Sequence, residues 1–296
     1  MESASLANGN RVLTSAVHRH RIAGVTVLYR PPADFLSHLK SYVADLTHLY
    51  VVDNSEDPDP ELQRELARYH CVEYLPMDEN VGIAGALNLG IRRAAAGGFE
   101  WVLTMDQDSR AKRDMVREML RCRETALDDR VAIVAPVHRG RYATIVRGNE
   151  PFELVNWTMT SGSLVQVSVC KKLGMFREDL FIDGVDHEYC LRLRRHGYRI
   201  LRANRALLDH ESGHVTKRLL GNFVTTNHEP ERRYYMIRNR FAIRRIYAQS
   251  VLLCATVSLL EALVVAIYED RKLTKLRMML RGLLDSRRNR LGPLLS

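Results

Sequence analysis

The stretch Trp101–Ser109, WVLTMDQDS, runs an apolar, β-rich segment into two carboxylates one residue apart. Asp106 and Asp108 would repel each other unless something positive sits between them. A divalent cation, which prefers oxygen ligands, is the simplest such partner. If the strand continued, Asp106-Gln107-Asp108 would alternate faces, with Gln107 opposite the two carboxylates; a turn at its end would bring both carboxylates toward one cation. The competing reading is a pair of ordinary turn residues, since Asp favours turns. No GK[ST] follows any glycine run, so a P-loop is not indicated and the cation would be held by these carboxylates and a substrate diphosphate.

Working outward, strand-like and helix-like segments alternate. RIAGVTVLYRPP (Arg21–Pro32) and HLYVVDNSEDPDP (His48–Pro60) read as apolar strands that stop at prolines and polar turn residues, with a helix-length stretch, Ala33–Leu46, between them. CVEYLP (Cys71–Pro76) and EWVLTMDQD are further strands, separated by Asn80–Ala96. Arg113–Leu127 places Val116, Met119, Leu120 and Leu127 on one helical face, and RVAIVAPV (Arg130–Val137) is the next strand. Such alternation predicts an α/β fold with a mostly parallel sheet covered on both faces, whose ligands bind beyond the C-terminal strand ends. Asp53, Asp106 and Asp108 all fall at such ends.

After Val137 the alternation stops. A polar stretch, Arg139–Glu153, leads to VNWTMTSGSLVQVS, read as a strand pair around Ser161-Gly162-Ser163. FIDGVDHEYCLRLRRHGYRIL (Phe181–Leu201) then reads as an acidic loop entering a helix that Gly197 ends. Asp179, Asp183, Asp186 and Glu188 crowd this helix start; Asp186 suits either a general base or a helix cap. In DHESGH, His210 and His214 are both candidates to complete a metal site, with His210 preferred.

The glycines of NVGIAGALNLGIRRAAAGG, at 82, 85 and 90, do not form GxGxxG, so a dinucleotide site is not indicated. They suit close backbone approach or a tightly packed helix start, while Asn80 and Asn88 are the candidates for polar contacts. A carboxylate at Asp53 could accept a hydrogen from N3–H of uracil or thymine, or simply close an Asx-turn.

With 296 residues and 46% hydrophobic content, the chain can bury a sizeable core. Its five cysteines are scattered and lack CxxC spacing, which indicates neither a disulfide framework nor a zinc site and fits a reducing cytoplasm. Residues 1–20 read as a flexible tail, the apolar patch Val12–Val17 being too short for a signal peptide. The net charge of +9 resides in residues 231–296, with fourteen basic and five acidic side chains; the rest of the chain balances at thirty each. A neutral body with a basic end suggests a catalytic domain and an attachment module rather than a nucleic-acid binder.

Taken in order, VVDNS, NVGIAGALNLG, TMDQDS, SGSLV, FIDGVDHEYCLRLRRHGYRI, DHESGH and YYMIRNR resemble an inverting family 2 glycosyltransferase of the GT-A fold. The DQDS and FIDxVDxE forms resemble its bacterial rhamnosyltransferase branch. The resemblance implies a Rossmann-like nucleotide-binding sheet in a catalytic domain over 21–230, with a nucleotide-sugar half to about 137, an acceptor half after it and a basic helical extension over 231–296. It implies that Tyr29, Asp53, Asn54, Asn80, Gly82, Asn88, Asp106 and Gln107 bind the nucleotide sugar, and that Asp106, Asp108 and His210 bind Mg²⁺ or Mn²⁺. Trp157, Ser161, Gly162 and Glu188 would shape the acceptor pocket. The family's usual signature, a Glu-Asp pair followed two residues later by Asp, reads here Val185-Asp186 with Glu188 in the later place. The base maps to Asp186, with Asp183 the candidate to compensate for the lost Glu. The implied donor is dTDP-L-rhamnose, transferred with inversion to a glycan or lipid-linked glycan of a bacterial surface polysaccharide. A UDP sugar such as UDP-galactofuranose is the alternative donor, and a non-catalytic sugar-nucleotide or nucleic-acid binding module the alternative class.

At the C-terminus, SVLLCATVSLLEALVVAIY (Ser250–Tyr268) is apolar for about a membrane-spanning length, but Glu261 inside it favours a buried or interfacial helix. RKLTKLRMMLRGLLDSRRNR (Arg271–Arg290) places Leu273, Leu276, Leu280, Leu283 and Leu284 near one face, flanked by Lys272, Lys275, Arg277 and Arg281. Such a basic amphipathic helix suits an anionic membrane surface, here the inner face of the cytoplasmic membrane. Packing on the catalytic domain or on a second subunit is the competing use.

Overall fold

The structure, a computed structural model, describes residues 21–140, 149–210, 217–219 and 223–294. His214 and part of the polar stretch after Arg139 lie outside these. The first half comprises β1 (Ile22–Leu28), α1 (Phe35–Leu39), β2 (His48–Asp53), α2 (Pro60–Leu66), β3 (Val72–Pro76), α3 (Gly82–Ala96), β4 (Trp101–Asp106), β5 (Ser109–Ala111), α4 (Met115–Ala126) and β6 (Val131–Arg139). It continues through β7 (Phe152–Val155), β8 (Ser163–Gln166), α5 (Val167–Leu173), α6 (Val185–Arg195), β9 (Arg199–His210), β10 (Lys217–Leu219), β11 (Phe223–Thr225), α7 (Pro230–Tyr247), α8 (Val251–Tyr268) and α9 (Lys272–Arg287).

The main sheet has the order β3-β2-β1-β4-β8-β6-β9-β5, with β7 also paired to β9. β3, β2, β1 and β4 are mutually parallel, and β6 and β9 are parallel to each other. β8 runs antiparallel between β4 and β6, which leaves β6 and β9 pointing the same way as β4. Central strands covered on both faces need no polar side, and β1 is buried at every position. One face packs on α3, α5 and α6 through residues such as Leu87, Ile91, Val169 and Tyr189; the other packs on α1 and α4 through Phe35, Leu39, Met115 and Met119.

Several sequence expectations change. Ala33–Leu46 contains only the short α1 and a 3-10 turn, Val43–Asp45. The segment after β2 holds α2, whose start carries an Asp59 cap accepting from Glu61 N–H at 2.9 Å and Pro60 in the first turn, a signal present in the sequence. The strands flanking Ser161-Gly162 do not pair with each other, since β7 joins β9 while β8 inserts between β4 and β6. Leu127 leaves the α4 face: it follows the helix end in the left-handed conformation and is exposed.

Candidate active site

The C-terminal ends of β1, β2 and β4, the start of α3 and the loop before α6 surround one cleft of about 380 Å³. Asp106, Gln107, Asp108, Asp183 and Asp186 line it together with Tyr29, Asn54, Asn80, Gly82 and Arg232. β4 ends at Asp106 and turns at once into β5, so Gln107 and Asp108 lie in the turn between the two strands. Ligand atoms of Asp106, Asp108 and His210 lie within 4.8 Å of one another. β9 brings His210 to this point by pairing with β5, Ser109 opposite His210.

A buried Ser161 supports the trio from behind. Its Oγ accepts the Asp106 N–H at 3.1 Å and meets Ser109 Oγ at 2.7 Å, and Ser109 Oγ lies 2.7 Å from His210 Nδ1, which fixes the imidazole. Burial, reinforced by the charge of Asp108, pushes the Asp106 carboxyl up to about 6, while His210 pulls the other way. Two carboxylates and an imidazole, converging where negative charge is costly, fit a divalent cation such as Mg²⁺ or Mn²⁺.

The loop before α6 has an unusual backbone. Phe181, Asp183 and Gly184 have φ of 65°, 62° and 78°, conformations that non-glycine residues keep only when their surroundings hold them. α7 does the holding: Asn239 Nδ2 donates to the carbonyls of Leu180, Ile182 and Asp183 at 2.8, 2.7 and 2.7 Å, and Arg238 to those of Asp179 and Leu180. From the other side Ile83 N–H donates to Phe181 O at 2.9 Å. Gly82 is required there, because a Cβ would lie 2.6 Å from that same oxygen.

Asp186 occupies the first turn of α6, whose cap position is Gly184, so it is not the cap; its carboxylate accepts the adjacent His187 N–H at 2.7 Å. Burial, aided by Asp183 and Asp106, raises its pKa to about 6. Asp183 is raised by burial and lowered by Arg232, which binds it through two hydrogen bonds.

Other expected site residues are spent on structure. Asn88 is buried on α3, where it takes Phe176 N–H and donates to Phe176 O and Glu178, so it does not reach the cleft. Glu188, 1% exposed, is held by Arg192 at 3.0 Å and Tyr247 OH at 2.6 Å. Gly162 serves close packing, since a Cβ would meet Leu208 and Pro136, and Ser161 acts only through Asp106 and Ser109. Asp53 lies beneath the cleft wall in an Asx-turn, with Oδ1 taking Ser55 N–H at 3.0 Å and Oδ2 taking Tyr74 OH at 2.7 Å. Trp157 is exposed on the β7–β8 loop, and its neighbour Thr160 lines the cleft. Asn54 and Asn80 are bonded to each other at 2.9 Å, and Gln107 bonds both backbone groups of Tyr29. Arg232, on α7, was not anticipated; its signal was the basic ERRYYMIRNR run, whose direction toward the cleft only the fold reveals.

A doubly covered α/β sheet with an acidic corner at its strand ends is the architecture of a GT-A glycosyltransferase. Residues 34–175 match the family model described as "Glycosyl transferase family 2". The chain is 30% identical over 247 residues to dTDP-rhamnosyl transferase RfbF of Shigella flexneri, covering 76% of this chain and 80% of that protein. It is 29% identical to galactofuranosyltransferase GlfT1 of Mycobacterium tuberculosis, over 60% of this chain and 65% of that one. Among solved structures, GalNAc-T7 with UDP, GalNAc and Mn²⁺ is similar with a TM-score of 0.58 at 12% identity; the match covers 76% of this chain and 47% of that one. Staphylococcus aureus TarS with UDP-GlcNAc is similar with a TM-score of 0.53 at 13% identity, covering 91% and 73%. The chain belongs to glycosyl transferase family 2, on its rhamnosyltransferase branch, and is a glycosyltransferase.

Proposed function

We propose that the enzyme transfers L-rhamnose from dTDP-L-rhamnose to a hydroxyl of a glycan or lipid-linked glycan, with inversion, in the building of a bacterial surface polysaccharide. The observation that carries the reading is that Asp106 and Asp108, with His210 beside them, open onto the same cleft as Asp186. The likeness to a dTDP-rhamnosyl transferase supports the donor. A cation held by Asp106, Asp108 and His210 would offset charge on the diphosphate. Tyr29, Asn54, Asn80, Gly82 and Gln107 form the nucleotide side of the cleft, and Arg232 adds a positive group beside the carboxylates.

Asp186 takes the proton from the acceptor hydroxyl while that oxygen bonds to the anomeric carbon. The bond from that carbon to the diphosphate oxygen breaks, its electron pair leaving with the diphosphate. Attack opposite the leaving group inverts the configuration in one displacement. A carboxylate whose pKa lies near 6 suits this task, because it is ionised at neutral pH yet more basic than an exposed Asp.

A galactofuranosyl donor is the second reading, favoured by the likeness to GlfT1. Calorimetric titration with dTDP-rhamnose and with UDP-galactofuranose, each with and without Mn²⁺, separates them. Metal-dependent binding of the dTDP sugar alone is expected; preference for the UDP sugar would replace the donor, and binding of neither would overturn the reading. The site's work is cytoplasmic in this reading, at the inner face of the membrane when the acceptor is lipid-linked.

A further inference from the structure

α8 is apolar along its length, yet only Cys254 and Val265 are buried. The narrow face bearing Ser258 and Glu261 turns inward, where Arg240 of α7 bonds Ser258 at 2.9 Å and both Glu261 oxygens at 2.7 and 2.6 Å. The one acid in this helix is thus neutralised by its own protein, and the outward face is apolar except for Thr256, whose hydroxyl donates to Leu252 O within the helix. Leu252, Leu259 and Leu263 are 76%, 63% and 48% exposed. α9 extends the surface. It packs on α7 through Met279 and Gly282, a Cβ on the latter meeting Tyr234 O at 2.5 Å, and so presents Leu273, Leu280 and Leu284 outward. An apolar surface of this extent is a binding surface rather than a solvated one.

Both ends of α8 are pinned to the catalytic body. Just before its start, Tyr247 at the end of α7 holds Glu188 of α6. At its end, the buried Glu269 gathers Thr225, Arg233 of α7 and Lys275 of α9 into one network. A helix tethered at both ends to one body lies across that body and does not leave it to cross a bilayer. Across residues 251–294, seven cations are exposed, among them Lys272, Arg277, Arg281 and Arg288, against a single exposed acid, Asp270. That charge favours an anionic lipid surface and disfavours the same face of a second copy.

We propose that α8 and the outer side of α9 form an in-plane docking face for an anionic membrane, held by lipid on one side and by α7 on the other. The face is continuous with the site: a groove of about 320 Å³, lined by Asp183, Gly184, His187, Met236, Arg240 and Gln249, runs from the Asp186 loop to the foot of α8. A lipid-linked acceptor would enter by that groove; this last step rests on the proposed glycosyl transfer, whereas the docking does not.

Flotation of the full chain with phosphatidylcholine vesicles, with and without phosphatidylglycerol, tests the face. Wild type is expected to float with the anionic vesicles only. Arg277→Gln/Arg281→Gln, which alters no buried side chain, should weaken binding about 10- to 30-fold, and Leu259→Glu/Leu263→Glu should abolish it while nucleotide binding by calorimetry persists. Equal binding to neutral vesicles, or resistance of the bound protein to alkaline carbonate extraction, would overturn an in-plane anionic face. So would a failure to float, whether the protein in light scattering is a monomer or a dimer that Leu259→Glu/Leu263→Glu dissociates. Loss of nucleotide binding by the wild type would instead strike the transfer reading and leave flotation unaffected.

Discussion

Arg232 reaches from α7 to the far wall of the cleft and grips Asp183 with two hydrogen bonds, Nε to Oδ2 at 3.2 Å and a terminal nitrogen to Oδ1 at 3.3 Å. The pair neutralises one carboxylate of an acidic cleft and leaves Asp186 as the carboxylate without a cationic partner on the same loop.

If Arg232 also meets the departing diphosphate, Arg232→Gln should lower kcat/KM by about 10²-fold. Arg232→Lys should restore part of that loss, because it returns the charge without the two-pronged geometry. Steady-state kinetics on both variants, with donor affinity measured by calorimetry, checks this; unchanged kinetics in Arg232→Gln would limit the side chain to holding Asp183.

Asp186→Asn should reduce kcat by about 10²- to 10⁴-fold while leaving donor affinity intact. Stability should move the other way. The folded carboxyl sits near 6 against an ordinary value of 3.8, so the native state holds the proton more tightly than the unfolded chain. Stability contributed by this group therefore falls as pH rises from 3.8 through 6 and is lowest when it is ionised. The Asn variant escapes that cost, and its melting temperature at pH 7.5 should exceed wild type by about 2–4 °C for each kcal/mol regained. In wild type the acid limb of kcat/KM against pH, which reports the free enzyme, should fall near 6.

Asp108→Asn and His210→Ala should each weaken Mn²⁺ binding, the His change by about 10- to 100-fold and the Asp change by more, as read by manganese EPR titration. Ser109→Ala leaves both ligands in place but frees the imidazole, and should produce a smaller loss of the same kind. Equal Mn²⁺ affinity in all three would remove the trio as the metal site.

Asn239→Ala should destabilise the fold by about 1–3 kcal/mol for each buried carbonyl it strands, those of Ile182 and Asp183 first, since Leu180 O retains Arg238. Urea denaturation measures the loss. Activity should fall further than stability accounts for, because the left-handed backbone at Asp183 and Gly184 that aims Asp186 would relax.

The alternating strands, the acidic strand end and the helix start at Asp186 were all legible in the sequence, because periodicity and turn chemistry are local properties. The contacts of Asn88, Glu188, Ser161 and Gly162 were not legible in the sequence for one shared reason. A motif gives a residue's neighbourhood but not which way its side chain faces, and here all four serve the backbone or a neighbouring side chain. Arg232 was missed for the converse reason: no spacing relates it to Asp183, forty-nine residues earlier, until α7 folds over the loop. Glu261 favoured a buried or interfacial helix from the sequence alone, but its partner, Arg240, lies twenty-one residues away on the facing helix and only the fold reveals it.

α7 touches the cleft through Arg232, the Asp186 loop through Arg238 and Asn239, α8 through Arg240, and the buried Glu269 network through Arg233. Arg238 and Asn239 share Leu180 O, and Arg232 and Asn239 share Asp183, so the effects of substitutions at these positions should not add. A double change such as Asn239→Ala with Arg240→Ala would report an interaction energy between two regions that never touch each other. The helix thus makes the chain's basic end thermodynamically inseparable from its neutral body.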